Sequence, residues 1–324
     1  MNNKTLIFAA LFALLSAAFA LSVISSRKPR QHIETEELLF SKTYDQALNV
    51  NKILITDSAS EKTLLLNEKY WRIPQADNYY AGLLISNALL YSINTAKIET
   101  IIHNITPDMQ LERPRPGVDI PGGNGTEIRT YDKQGRLIDD VIIGSAKNGL
   151  QYAKRPESDY AMMVSGGFDL PRKLYDWLQQ PLLQITQEGI ETIILQSDIG
   201  QQMAFKPQES DSFYNVRREK TDLSPLLTPF TNLKLIDVVD YEVSEFKNAD
   251  PDRVIAIFMF SGLIYGIELY RKDTEFWIRI NLSSNTLPTK LASDYIKDSS
   301  FLYHGWIFKI HPEAGARLLN YNIR

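Results

Sequence analysis

The sequence predicts an α+β fold made of two copies of one unit of about 140 residues, each with mostly antiparallel strands and packed helices. Three observations lead to this prediction. Strand and helix patterns come in blocks rather than in strict alternation. Alternating apolar and polar runs flank polar turns, which is typical of hairpins. The pattern from Ile53 to Ile93 returns in weaker form from Ile193 to Val239.

An uncharged apolar segment precedes this body. Residues 5–24 read TLIFAALFALLSAAFALSVI, and twenty helical residues span about 30 Å, the thickness of a bilayer core. The segment therefore predicts a transmembrane anchor in the inner membrane, with residues 1–24 forming a cytoplasmic tip and the span. A cleavable signal peptide is the alternative, because Ala18-Phe19-Ala20 fits a small-x-small cleavage site.

The flanking charges favour the opposite orientation. Lys4 precedes the span, whereas Arg27, Lys28 and Arg30 follow it, and basic residues favour the cytoplasmic side. Both readings of the apolar segment nevertheless send the body through the membrane. Residues 25–50 are predicted to be a linker.

Composition excludes several classes of function. The chain of 324 residues has no cysteine, which removes disulfides, thiolate catalysis and thiolate metal sites. Beyond the first thirty residues, 31 basic residues stand against 39 acidic ones. A net acidic body has no electrostatic footprint for nucleic acid.

The first unit is predicted over residues 51–187. Its strand patterns end in Trp71 and Ile73, with Pro74 as a stop, and a helix follows. We expect Asp77 to cap that helix, and one face of the helix to be formed by Tyr80, Leu83, Leu84, Ala88 and Tyr91. A hairpin follows over residues 127–144, then a strand at 160–164 and a closing helix at 169–178.

The second unit is predicted over residues 188–324. Its helix carries Leu223, Leu226, Leu227 and Phe230, with Thr221 as its cap. The hairpin over 267–280 is the expected counterpart of the hairpin over 127–144. The strand 306–310 corresponds to the strand 160–164, and a closing helix is predicted over 312–320.

Four sets of residues resemble the domain of unknown function family 4340. They are Trp71 to Pro74 with Ala76 and Asp77; Ile143 and Gly144 with Tyr152 and Arg155; Trp177 and Leu178 with Leu182 to Ile185 and the strand pattern Ile190 to Leu195; and Gly305 to Phe308, which includes Trp306. The resemblance extends over roughly Ile53 to Asn320 and has no catalytic signature. Tyr214 stands in the second copy where the first has Trp71.

The resemblance implies a membrane-anchored bacterial envelope protein linked to gliding-type ABC transporters. The localisation we expect is therefore the bacterial inner membrane, crossed once, with the body in the periplasm. The resemblance offers no active site to carry over. The expected partner is therefore a membrane protein, an ABC transporter component.

The sequence motifs that could indicate catalysis or the binding of a metal or phosphate are weak. The histidines, His32, His103, His304 and His311, lack the spacing of a metal motif. The glycine-rich loop Pro121 to Thr126 precedes a strand pattern and lacks the lysine of a P-loop. Arg113 and Arg115 alternate with prolines in an extended stretch, which makes this stretch a candidate partner contact. We expect no cofactor and no metal.

Two main hypotheses about function follow, and a third is weaker. The first is a non-enzymatic accessory subunit of an ABC-type transport or gliding-type system. The alternative is a periplasmic binding module for an envelope glycan or lipid, which requires a pocket between the two copies. A hydrolase would require an acid, a base and a nucleophile clustered in a cleft.

Overall fold

Two nine-stranded sheets make up the body in the computed structural model, which describes residues 37–103, 125–198 and 200–323. Every strand pair in them is antiparallel. The predicted class is therefore confirmed as mainly antiparallel sheet with few helices, in two similar units. The predicted anchor lies outside the described residues, within which no helix has the length and apolarity to span a bilayer.

The first sheet contains nine strands in the order β4-β3-β2-β1-β6-β7-β8-β9-β5. They are β1 Val50–Thr56, β2 Glu61–Asn67, β3 Tyr70–Ile73, β4 Tyr79–Tyr80, β5 Ile98–His103, β6 Thr126–Asp132, β7 Leu137–Lys147, β8 Leu150–Lys154 and β9 Tyr160–Val164.

The second sheet has the same topology, in the order β13-β12-β11-β10-β15-β16-β17-β18-β14. Its strands are β10 Ile190–Ser197, β11 Gly200–Phe205, β12 Phe213–Asn215, β13 Lys220–Thr221, β14 Leu235–Asp240, β15 Arg253–Met259, β16 Leu263–Lys272, β17 Glu275–Ser284 and β18 Trp306–Ile310. Each strand of one sheet therefore has a counterpart nine strands later.

This correspondence corrects the predicted hairpin match by one strand. The β6–β7 hairpin corresponds to β15–β16, and not to the β16–β17 hairpin over 267–280. Successive strands share the same period of two, so their patterns look alike when shifted by one strand. The match of β9 with β18 agrees with the topology.

Five α-helices accompany the sheets in the described residues: α1 Ser41–Asp45, α2 Leu83–Thr95, α3 Ser224–Leu227, α4 Lys290–Ser299 and α5 Pro312–Asn320. Helices α2 and α3 occupy the same place in the two units. Helix α4 is inserted between β17 and β18, whereas residues 155–159 alone join β8 to β9. The predicted helix over 312–320 is confirmed.

The hydrophobic core is one continuous cluster shared by both units. Alternate strand residues point into it, such as Ile53 and Ile55 in β1 and Ile255 and Ile257 in β15, all at most 1% exposed. Helix α3 also contributes Leu226 to this core.

Several local predictions are wrong. Asp77 does not cap α2. It has a left-handed conformation with φ 51° at the end of a 3-10 turn over Pro74–Ala76, and the helix begins only at Leu83. Thr221 lies in β13, and Asp222 instead accepts a hydrogen bond from the amide of Ser224 at 2.9 Å.

Two predicted segments also differ from the structure. Residues 169–178 form only a 3-10 turn at Leu174–Trp177, since Pro171 interrupts the start of the predicted helix. The predicted linker is part of the body from residue 37 onward. There Leu39 and Phe40 are fully buried, and Leu38 pairs with Lys97 as an isolated bridge.

Candidate functional site

The junction of the two units is built from aromatic side chains. Tyr79 of β4 packs edge-on against Trp306 and Phe308 of β18, with ring centroids 5.2 and 5.5 Å apart. Phe301 packs against Tyr80 at 4.8 Å. Such edge-to-face pairs add stability beyond the area they bury. The edge of the first sheet is therefore fixed to the second unit.

Hydrogen bonds cross the same junction. The Tyr79 hydroxyl donates to the Leu302 carbonyl at 3.1 Å, and the Asp240 amide donates to the Asp77 carboxylate at 3.4 Å. The side-chain amide of Gln180 donates to the Leu235 carbonyl at 2.9 Å. These bonds satisfy polar groups that would otherwise be costly to bury.

A cleft of about 320 Å³ opens at this junction. Its walls carry no charged side chain and comprise Tyr79, Gln179, Pro181, Leu182, Gln184, Tyr295, Ser299, Leu302 and Tyr303. Burial raises the pKa of Tyr79 and of Tyr303, so both hydroxyls stay protonated at neutral pH. The Tyr303 hydroxyl donates to the Leu182 carbonyl at 3.0 Å. The cleft is therefore neutral, with amides and tyrosines as its polar groups.

Helix α2 exposes its apolar side. We call its exposed residues Leu83, Leu84, Asn87, Ala88 and Tyr91 the α2 face. The exposed fractions of Leu84 and Tyr91 are 83% and 68%. The predicted set from Leu83 to Tyr91 therefore does share one side of the helix, and that side faces outward.

The buried side of α2 contains two serines. Ser86 and Ser92 lie inward beside Leu89 and Ile93. The Ser92 hydroxyl donates to the Gly167 carbonyl at 2.9 Å, whereas the buried Ser86 hydroxyl has no hydrogen-bond partner. The inward side of α2 therefore combines these two serines with Leu89 and Ile93, whereas Leu83 and Leu84 face outward.

A second exposed apolar stripe lies at helix α4. It consists of Leu287, Leu291 and Tyr295, and we call it the α4 stripe; the exposed fractions of the two leucines are 87% and 78%. Charged residues flank it on the helix, among them Lys290 and Asp294. The α2 face has no charged residue, so the two surfaces differ in chemistry.

A buried polar network fixes the point where the chain enters the body. The Asp139 carboxylate of β7 accepts from the Thr43 amide at 2.7 Å and from the Thr43 hydroxyl at 2.8 Å. Arg155 donates to the same carboxylate at 3.2 Å and to the Leu39 carbonyl at 2.7 Å. Residues 39–43 are thereby attached to the first sheet.

A second carboxyl group lies on the other side of β7. Burial and the neighbouring carboxylate of Glu127 together raise the pKa of Asp140 to about 6, although Arg129 acts in the opposite direction. Arg129 pairs with Glu127 at 3.2 Å. The Asp140 group therefore titrates closer to neutral pH than an ordinary aspartate.

The sequence-predicted site residues fall into three groups. Four lie at or beside the junction, namely Trp71, Asp77, Trp177 and Trp306. There the Trp177 carbonyl accepts from the Gly82 amide, and the Trp71 carbonyl accepts from the Ala81 amide. Gly144 and Tyr152 lie instead in the first sheet. Arg113 and Arg115 lie outside the described residues.

Gly144 borders a shallow polar pocket with Asp57 and Arg172, whereas Tyr152 packs against Ile142 and Ala161 in a small separate cluster. His311 caps helix α5 by accepting from the Glu313 amide at 3.4 Å. Within the described residues, no three His, Asp or Glu side chains are grouped to hold a metal ion.

Sequence reasoning missed Asp139, Tyr295, Tyr303 and all of helix α4. Asp139 belongs to a strand whose alternation of apolar and polar residues is irregular. The sequence signal that could have identified it is an aspartate inside a predicted sheet, because aspartates are rarely buried unless they are paired. Helix α4 has a clear signal, because Thr289 precedes an amphipathic stretch and its hydroxyl accepts from the Ala292 amide at 3.2 Å.

Comparison with known families agrees with the resemblance seen in the sequence. The model of the family described as "Domain of unknown function (DUF4340)" matches residues 71–253, more than half of the chain. The protein belongs to the DUF4340 family. The match begins at Trp71 and ends at Arg253, a narrower range than Ile53 to Asn320. It covers parts of both units and includes Tyr79 of the junction, but not the junction residues from Tyr295 to Phe308. Curated proteins give no significant match to the chain.

Proposed function

We propose that this DUF4340 protein is a non-enzymatic, membrane-anchored accessory subunit of an ABC-type transport or gliding-type system. One transmembrane helix at residues 5–24 would hold the duplicated body in the periplasm. The body would act by binding a membrane protein, an ABC transporter component, rather than by transforming a substrate.

The α4 stripe is the observation that supports this proposal most directly. Among the described residues of the first unit helix α4 has no counterpart, since residues 155–159 alone join β8 to β9, so the shared fold does not require it. Protein interfaces combine a few exposed apolar anchors with a polar rim. Leu287, Leu291 and Tyr295 among charged neighbours have this composition.

Affinity capture of the full chain from detergent-solubilised membranes tests the proposal. We expect the wild-type protein to retain an ABC transporter component, identified by mass spectrometry, and Leu291→Asp to lose it. Val216→Asp is the matched control, because Val216 is an apolar residue 66% exposed at the β12–β13 turn. Equal recovery of the same component with both variants would contradict the role of α4, and recovery of no such component would contradict the proposed function.

The neutral cleft supports a second candidate, a binding module for an envelope glycan or lipid. Tyrosines with amide side chains are suited to an uncharged glycan, because aromatic faces stack on sugar rings and amides bond to hydroxyls. Addition of neutral peptidoglycan-type oligosaccharides should shift the NMR signals of the junction. Tyr295→Ala should abolish these shifts, and unchanged spectra of the wild-type protein would reject this candidate.

A further inference from the structure

We propose that the α2 face is a membrane-docking surface that lies against the lipid bilayer in which the chain is anchored. The inference rests on the proposed function, since it takes residues 5–24 as the anchor. It adds a second contact with the membrane, made by the folded body itself.

The chemistry of α2 favours lipid as the occupant. All thirteen residues of the helix, LLISNALLYSINT, are uncharged. A helix on the surface of a soluble domain normally places polar or charged residues outward. Leu84, Ala88 and Tyr91 follow the i, i+4, i+7 spacing and form one exposed side. Tyrosine is enriched at the membrane–water interface, where its ring is apolar and its hydroxyl is hydrated.

The point at which the chain enters the body places α2 near the membrane. The Ile98 amide donates to the Glu37 carbonyl at 2.9 Å, and the Leu39 amide donates to the Ala96 carbonyl at 2.8 Å. The first described residues therefore run beside the C-terminal end of α2. Helix α2 is about 20 Å long, so the whole α2 face lies close to the entry point.

The connecting chain limits how far the body can move away. Twelve residues, 25–36, separate the apolar segment from Glu37, and at full extension they reach about 40 Å. A tether this short makes docking an intramolecular event with a millimolar effective concentration. A modest apolar surface is then sufficient, although the same surface would bind vesicles weakly without the tether.

The equivalent segment of the second unit shows that the fold does not require this exposure. There Leu226, Leu227 and Phe230 are all buried, none more than 4% exposed. The two equivalent segments thus differ in burial: the first copy exposes apolar residues where the second copy buries them. The α2 face is a property of the copy that is adjacent to the tether.

The full chain offers a clean labelling experiment because it has no cysteine. Ala88→Cys carries a spin label in the α2 face, and Val216→Cys carries the same label in the second unit as a control. Both variants are reconstituted in vesicles of phosphatidylethanolamine and phosphatidylglycerol. Relaxation by oxygen, which concentrates in lipid, is compared with relaxation by a water-soluble nickel chelate.

We expect the Ala88→Cys label to be protected from the nickel chelate and relaxed by oxygen, whereas the Val216→Cys label is relaxed mainly by nickel. Leu84→Asp in the Ala88→Cys background should abolish the protection. Leu84 is mostly exposed, so this change leaves the core intact, and an unchanged circular dichroism spectrum checks that.

Three outcomes would overturn the inference, and they are distinguishable. If the chain floats with the vesicles but both labels are equally open to nickel, the docking surface is rejected and the anchor stands. If protection appears only after a partner protein is added, the α2 face binds protein rather than lipid. If the chain does not float with the vesicles, the anchor itself fails, and with it the proposed function.

Discussion

The Asp139 network provides a quantitative test of how the N-terminal segment is held. Asp139→Asn keeps the shape of the side chain and removes its charge. Arg155 then loses its counter-ion, and the amide nitrogen of the new side chain must face either Arg155 or the Thr43 amide, both of which are donors. The substitution therefore breaks a charged network without opening a cavity.

The size of the effect follows from burial. Breaking a fully buried pair typically costs about 3–5 kcal/mol. The Asp139 side chain is 0% exposed but that of Arg155 is 26% exposed, so water partly compensates the guanidinium. We expect the free energy of unfolding to fall by about 2–3 kcal/mol, from the lower end of that range and the value of a charged hydrogen bond.

Urea denaturation measures this loss as a lower midpoint with an unchanged slope. Hydrogen exchange at the Thr43 amide is the local measurement, because that amide donates directly to Asp139 and should lose protection. Asp273→Asn is the control, since this turn residue with φ 55° has a conformation that asparagine tolerates. An Asp139→Asn protein within about 0.5 kcal/mol of wild type, the range of surface substitutions, would refute the reasoning.

Two further substitutions test packing and titration. In Gly315→Ala the new Cβ would lie 2.1 Å from the Cγ atom of Phe276. We expect this overpacking to reduce the free energy of unfolding by about 1–3 kcal/mol and therefore to lower the melting temperature. Gly266→Ala is the control and should change the melting temperature little, because its Cβ would meet its nearest atom at 3.7 Å. Because the folded-state pKa of Asp140 is raised from 3.8 to about 6, native protein binds more protons between those values, and wild-type stability should rise as pH falls from 6 to 4. Asp140→Asn should therefore be more stable than wild type at pH 7.5 by about 1 kcal/mol, after allowance for solvent screening, and the difference should disappear at pH 4; a constant difference across this range would contradict the assignment.

The strands were predictable because one physical rule governs them. In β16 the fully buried Ile267 and Leu269 flank Glu268, and burial of one face makes that alternation visible in the sequence. The same rule could not fix which hairpin of the second unit matches which hairpin of the first. Strands β15, β16 and β17 all alternate, so only the pairing in three dimensions separates them.

The helices were less predictable, since their rule assumes that apolar residues lie inward. Leu83, Leu84 and Tyr91 form a clear periodic set, yet that set faces outward, and the side that carries Ser86 and Ser92 is the buried one. The junction cleft and the Asp139 network were invisible for another reason. Their members are far apart in sequence, and no local spacing indicates their contacts.

Comparison of the two copies separates the features that the fold requires from the features that only one copy has. The two sheets share strand order and orientation throughout the described residues, so selection for a folded unit has kept the sheets alike. The copies diverge at their helices: α2 exposes leucine where α3 buries it, and α4 exists in one copy alone. Exposed apolar surface costs solubility and risks aggregation. If stability alone had shaped these helices, both copies would bury their leucines, so the divergence favours external contacts at α2 and α4, the first beside the point where residue 37 enters the body and the second on the other copy.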